Sequence, residues 1–301
     1  MKIGSFGYLW RLIPRSASKE FKDKVLCEFQ SYQAYETGYR CLASAFGRPD
    51  KNPGQGELER IRRLIDRRGN PAGSLSIPDC LFAAAFVSIT RPHRMVEIGT
   101  GSGFSSALLA CAIHLQRPDA RAPCVDTLDA HAEYFGESNL PVGFDISNLI
   151  PEFPGSVRVH APRESDFVGT LAAKDELELA FIDGNHQHPL PLLDVLRIAP
   201  YIKGGGWVLL HDIRFGTIVE TARKKGVPLP YEGLFGAEWL FDEWAWNKID
   251  GGNIGAIQLP TKKKAILRSM GTLMNSPFEV CKESYRRLRD EVREAARFCA
   301  R

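Results

Sequence analysis

The chain has 301 residues, of which 44% are apolar and 25% charged, and its formal net charge is +3. This composition suits a folded protein with a sizeable core and excludes a disordered chain, a collagen and a disulfide-stapled miniprotein. With 39 basic against 36 acidic residues there is no general case for nucleic-acid binding. No apolar run approaches the roughly 20 residues that span a bilayer, and the apolar start of the chain is interrupted at Arg11 without a small-residue cleavage site, so neither a membrane span nor a signal peptide is expected. Seven cysteines without a Cys-x-x-Cys pair read as free thiols of a cytoplasmic protein.

Residues 1–90 read as helical. Phe21, Val25, Phe29, Tyr32, Tyr35, Tyr39, Leu42 and Phe46 recur every three or four positions, which predicts one apolar helical face. A second helix, near 57–68, stops at Gly69-Asn70-Pro71, and Ser76-Ile-Pro-Asp79 has the form of a capping box opening the apolar segment Cys80–Ile89. From about 91, short apolar runs (95–98, 124–128, 157–160, 177–182 and 207–210) alternate with helical stretches such as 105–115 and 190–201. That alternation predicts an α/β fold, a doubly wound and mostly parallel sheet covered on both faces. Two strand-like stretches, 238–249 and 254–259, flank Asp250-Gly251-Gly252-Asn253 and predict an antiparallel hairpin closing the sheet, with Trp239, Trp244 and Trp246 alternating along it. Finally, Ser276-Pro-Phe-Glu279 reads as a capped helix start, and Phe278, Cys281, Tyr285, Leu288, Val292, Ala295 and Cys299 form a heptad-like stripe, a seam for the chain's own domain or for a second subunit. The expected organisation is a helical extension (1–75, a cap, lid or dimerisation element), a core (76–260) and a C-terminal helix (261–301) whose 11 Lys/Arg exceed its 5 Asp/Glu.

The segment Met95-Val-Glu97-Ile-Gly99-Thr100-Gly101-Ser-Gly103-Phe104-Ser105-Ser106 carries the most information. An apolar strand runs into three alternating glycines and then into a helix, whose first turn offers unpaired N–H groups. A dinucleotide fingerprint needs Gly-x-Gly-x-x-Gly. Here Phe104 stands where the third glycine should fall, and Glu97 is foreign to that pattern.

With this segment the chain resembles the class I methyltransferases that use S-adenosylmethionine (SAM). The resemblance extends to Asp129 at the end of the second strand, where a carboxylate accepts from ribose hydroxyls. It extends further to Arg163-Glu164-Ser165 after the third strand, where the family contacts adenine, to Phe181-Ile-Asp183-Gly-Asn185-His186, and to Gly204-Gly-Gly-Trp-Val-Leu-Leu-His211-Asp212. The last two blocks look like the small-molecule, macrocin-type O-methyltransferases. Asn185 departs from them, because that group commonly has an acidic residue after Asp-Gly. The resemblance implies a SAM site at Glu97, Gly99, Thr100, Gly101, Gly103, Ser105, Asp129, Glu164 and Asp183, and methyl transfer to a hydroxyl of a small-molecule acceptor such as a sugar or phenol.

Two ways of removing the acceptor's proton fit the rim. One is a divalent cation, Mg²⁺ or similar, held by Asp183 and Asp212 with His211 or Asn185 completing the site. The other is a metal-free general base, His186 or His211, since imidazole titrates near neutral pH. Asp183, His186 and His211 are therefore the catalytic candidates. Rival readings are an NAD-dependent oxidoreductase on a similar sheet and a cofactor-binding partner subunit without catalysis. The expected partners are the small-molecule acceptor and a second copy of the chain as a homodimer, with no nucleic acid and no membrane.

Overall fold

The computed structural model describes residues 24–69, 73–119, 123–137, 139–227 and 235–300. In chain order the elements are β1 (Lys24–Leu26), α1 (Tyr35–Ala45), α2 (Glu57–Arg67), α3 (Ile77–Thr90), β2 (Met95–Ile98), α4 (Phe104–Gln116) and β3 (Val125–Leu128). There follow α5 (Ile146–Leu149), β4 (Val157–His160), α6 (Val168–Leu171), β5 (Leu177–Ile182), α7 (Leu190–Ile198) and β6 (Ile202–His211). The remainder is α8 (Phe215–Lys224), α9 (Gly236–Glu243), β7 (Lys248–Asp250), β8 (Ile254–Gln258), α10 (Lys264–Ser269), α11 (Gly271–Asn275) and α12 (Lys282–Cys299).

The strands form one eight-stranded sheet in the order β1-β7-β8-β6-β5-β2-β3-β4. Only β8 runs against its neighbours, pairing antiparallel with both β6 and β7. The continuous apolar runs are explained by two-sided burial, because successive side chains leave a strand on opposite faces. Met95, Phe181 and Leu209 enter a core shared with α1–α4, while their neighbours Val96, Ala180 and Val208 enter a core shared with α7, α9 and α12. The mostly parallel α/β sheet expected from the alternation is thus the observed one.

Several local expectations are corrected. The stripe from Val25 to Phe46 is not one helix: β1 covers 24–26, and only α1 with a short 3₁₀ turn before it is helical. Val25, Cys27 and Phe29 also alternate with period two, and that period wins because Cys27 N–H donates to Asp250 O at 2.8 Å, prolonging the β1–β7 ladder. Phe21 lies outside the described residues. The described part of the extension shares the sheet's own core through Phe29, Tyr35, Tyr39 and Leu42.

The stretch from Glu238 to Glu243 belongs to α9, so the hairpin's first strand is only Lys248–Asp250. Trp239 is therefore helical, and Trp244 and Trp246 follow the helix, packed against the α7 face rather than alternating on a strand. The expected capping box at Ser276–Glu279 is also absent. Helix α12 starts at Lys282 with Cys281 as its N-cap. Glu279 is engaged elsewhere, its N–H donating to His188 O (2.8 Å) and its carboxylate accepting from the N–H groups of His188 (2.7 Å) and Phe235 (3.2 Å). The α12 stripe does form. Leu288, Val292, Ala295 and Cys299 are buried against the chain's own α7 core, which removes this stripe as a reason to expect a second subunit.

The Ser76 capping box on α3 is present, with both reciprocal hydrogen bonds to Asp79. It fixes the start of a helix buried along nearly its whole length and points Asp79 towards the sheet's carboxyl edge.

Candidate active site

Strands β2, β3, β5 and β6 end on one edge of the sheet, and a cavity of about 1000 Å³ opens over that edge. Open α/β sheets bind ligands there because strand ends and helix starts leave backbone groups unpaired. The wall includes Gly99–Ser102, Ser105, Asp129, Glu164, Asp183, His186, His211 and Asp212, so almost every site residue read from the sequence reaches one space.

The three glycines have different duties. A Cβ on Gly99 would lie 2.2 Å from Asp183 O, so this glycine lets β2 and the β5 terminus approach each other. A Cβ on Gly103 would strike Ile146 at 2.4 Å, so that glycine lets the 143–146 turn pack under α4. Gly101 has open space beside it: its positive φ of 52° turns the loop, and a Cβ there would meet only Phe135 at 3.9 Å.

Asp129 ends β3 beside this loop. Its Oδ2 accepts the N–H groups of Thr100 and Gly101, both at 3.1 Å, and its Oδ1 that of His131 at 3.0 Å. Thr100 also bonds Thr127 through their hydroxyls (2.8 Å). Glu97, by contrast, is fully buried beneath the loop and does not line the cavity. It accepts the Ser106 hydroxyl at the start of α4. Burial pushes its carboxyl up to about 7, opposed by the hydroxyls of Ser105, Ser106 and Thr127. Its place is that of a support for the loop and the α4 terminus. Phe104, standing where a dinucleotide loop has glycine, packs into the core with Arg68 5.0 Å above its ring. Glu164 lines the cavity from the exposed start of a 3₁₀ turn, paired with Arg197 at 3.1 Å.

The strand ends of β5 and β6 gather the reactive groups. Asp183, His186 and Asp212 each offer a ligand atom within 4.8 Å of the others, and all three are partly exposed. His186 Nε2 lies 3.2 Å from Asp212 Oδ2, and its ring stacks with Phe215. Asp212 has a left-handed backbone (φ 58°), tolerable for aspartate, and Asn253 from the β7–β8 turn donates to its Oδ1 at 2.7 Å. Where His211 or Asn185 was expected beside Asp183 and Asp212, the residue whose ligand atom converges with theirs is His186. Asn185 instead accepts the Gln187 N–H at 2.9 Å, closing its own turn. His211 is almost buried, with Nδ1 2.9 Å from Asp183 Oδ1 and Nε2 3.4 Å from Asp79 Oδ2. Burial disfavours its charge, but Asp183, Asp79 and Asp212 outweigh it and hold the imidazole well above its usual pKa.

Sequence reasoning missed Asp79, read only as a helix cap, and the contribution of α12, from which Ser284, Arg287, Leu288 and Glu291 wall the cavity together with its N-cap Cys281. No local signal marks either, because both arise from tertiary packing. His188, two residues beyond His186, is buried away from the cavity. Its Nε2 faces Leu273 O at 3.0 Å, and burial lowers its pKa to about 4.

A glycine loop after β2, an acid after β3 and a cluster of acids and imidazoles at the ends of β5 and β6 thus line one cavity at the carboxyl edge of an α/β sheet. Residues 96–213 match a family model described as a methyltransferase domain, in agreement with the resemblance of the glycine loop. No curated protein sequence matches the chain.

Among solved structures, it is similar to the O-methyltransferase TomG from Streptomyces achromogenes, involved in tomaymycin synthesis and solved with SAM. The identity is 16%, covering 76% of this chain and 99% of that one, with a TM-score of 0.45. It is also similar to an O-methyltransferase from Bacillus cereus solved with SAH (17% identity, 76% and 100% coverage, TM-score 0.43) and to cofactor-bound Rv0187 from MTB (17%, 68% and 89%, TM-score 0.45). None of these assigns a role to a residue of this chain.

Proposed function

We propose that the chain transfers a methyl group from SAM to a hydroxyl of a small molecule, with a divalent cation at Asp183, His186 and Asp212 assisting removal of the acceptor's proton. The observation that carries this reading is that the glycine loop and the Asp183–His186–Asp212 cluster face the same cavity.

The wall suits a cationic cofactor. Seven carboxylates line the cavity (Asp79, Asp129, Glu164, Asp183, Asp194, Asp212 and Glu291) against three arginines (Arg163, Arg197 and Arg287). A sulfonium and an ammonium are favoured beside such a wall, whereas the pyrophosphate of a dinucleotide would meet Asp129 at the loop. This, together with the buried Phe104, argues against the NAD-dependent rival. Gly101 leaves room for the methionine portion at the loop, and Asp129 presents a carboxylate to the ribose hydroxyls.

The donor set also fits a metal, since two carboxylates and an imidazole converge from neighbouring strand ends. The imidazole shifts preference from Mg²⁺ towards a transition metal such as Mn²⁺. Bound there, the cation would lower the pKa of a coordinated acceptor hydroxyl. The residues' own contribution is to orient the acceptor and exclude water: Asn253 fixes Asp212, His211 fixes Asp183, and Phe215 backs His186.

The test is methyl transfer to a panel of small phenols and sugars, scored by release of S-adenosylhomocysteine (SAH) with and without excess chelator. Activity that chelator abolishes and Mn²⁺ or Mg²⁺ restores is expected. Full activity in chelator would remove the cation from the mechanism, and SAH binding without turnover on any acceptor would favour a non-catalytic partner subunit.

A further inference from the structure

At the opposite end of the sheet from β4, the thiols of Cys27 and Cys41 lie 2.9 Å apart. Unbonded carbon atoms ordinarily rest at about 3.5–4.0 Å, and sulfur is no smaller. The two sulfurs are thus pressed together, and the gap to a disulfide bond of about 2.05 Å is small. They come from different elements. Cys27 is buried directly after β1, anchored by its N–H to Asp250 O. Cys41 lies in the middle of α1, half-buried, its Sγ also donating to Leu26 O at 3.3 Å. Among the described residues no other two cysteine sulfurs are in contact.

We propose that Cys27 and Cys41 form a reactive dithiol that closes to a disulfide by exchange with a low-molecular-weight disulfide such as oxidised glutathione. The half-buried Cys41 attacks first: its thiolate forms a bond to one sulfur of the small disulfide and expels the other sulfur as a thiolate. Cys27 then attacks Cys41 Sγ in the mixed disulfide and expels the second small thiolate. The two protein thiols are oxidised, the small disulfide is reduced to two thiols, and the two protons released by the cysteines go to those thiols. The order follows from access, since burial and the neighbouring Cys41 push the Cys27 thiol up and keep it protonated until its partner is activated.

The bridge would tie the edge strand β1 to α1. That strand pairs with β7, and the turn after β7 carries Asn253, which holds Asp212 in the candidate site. Oxidation at the edge of the sheet would therefore stiffen one support of the reactive rim.

The experiment incubates the full chain with oxidised glutathione or with dithiothreitol, followed by alkylation of free thiols in denaturant and peptide mapping. Expected are the loss of two alkylatable thiols, a cross-linked peptide pair containing Cys27 and Cys41, and a rise in Tm on the order of 5 °C, typical of a bridge closing a loop of this length. Cys41→Ser should fold and show none of the three. Complete alkylation of both cysteines after oxidation, a persistent mixed disulfide at Cys41, or a bridge to any other cysteine would overturn the proposal. None of these readouts depends on the methyl acceptor.

Discussion

His211 and Asp183 face each other across the β5–β6 boundary, with Nδ1 2.9 Å from Oδ1, while the other ring nitrogen of His211 points at Asp79. A histidine held by carboxylates on both nitrogens has no free lone pair with which to take an acceptor's proton. His211 thus holds Asp183 in place, and under the proposed function the histidine left to face the acceptor is His186.

His211→Ala should therefore act mainly on stability. It leaves Asp79 and Asp183 poorly solvated and without their shared partner, a loss of about 2–4 kcal/mol. His186→Ala should change stability by less than about 1 kcal/mol and lower kcat by at least about 10-fold. Denaturant unfolding and turnover measured on both variants check the division. A fully stable but inactive His211→Ala would reverse the two roles.

The glycine loop predicts a second contrast. Gly99→Ala places a methyl against the Asp183 backbone, and the protein should lose soluble expression or most of its stability. Gly101→Val should fold, at a cost of about 1–2 kcal/mol for its positive φ, and fail to bind SAH in calorimetric titration. Asp129→Ala should weaken SAH by about 1.5–3 kcal/mol. Asp129→Asn, which keeps an acceptor for the Thr100 and Gly101 N–H groups, should weaken it less.

Glu279 sets an expectation for pH. Burial pushes its carboxyl up to about 7, opposed by the His188 and Phe235 N–H groups. A carboxyl raised in the folded state holds its proton there after the unfolded chain has lost it. Its contribution to stability is thus present below the usual carboxylate pKa of about 4.5 and is lost as pH rises towards 7. Tm should fall between about pH 5 and about pH 8, and Glu279→Gln should make that fall shallower. An unchanged slope in the variant would show that the carboxyl is not perturbed. His188, lowered to about 4, works with the opposite sign, its contribution being lost as pH falls from about 6.5 to 4, which is why the comparison is between the two proteins.

Leu288 tests the C-terminal helix. It is buried between α12 and α7 and also borders the cavity. Leu288→Ala should cost about 2–4 kcal/mol in unfolding free energy and weaken SAH binding as well. Lost stability with unchanged SAH affinity would confine the helix to a packing role.

The central strands β2, β3, β5 and β6 were legible because two-sided burial leaves mostly apolar runs, and the glycine loop because its spacing has few other uses. The rim was legible as residue types at strand ends, so Asp183, His186 and Asp212 were all named before their geometry was known. The errors share a cause. Val25 and Phe29, spaced by four, are compatible with either period, and the choice between helix and strand is made by long-range pairing such as Cys27 to Asp250. Glu279 was misread because a capping box and a clamp on a distant loop need the same side chain. Asp79 performs both of its tasks at once, and only the first is local.

The cavity's wall draws on Gly73–Ser76, on the strand ends from Gly99 to Asp212 and on α12 as far as Glu291. Its enclosure therefore waits for the last helix to settle against α7. A chain still emerging from the ribosome can complete the glycine loop and even the Asp183–His186–Asp212 cluster, yet the chamber has a missing side until α12 arrives. Ligand affinity measured on nascent chains of increasing length should accordingly appear late, in one step, rather than grow with each added strand.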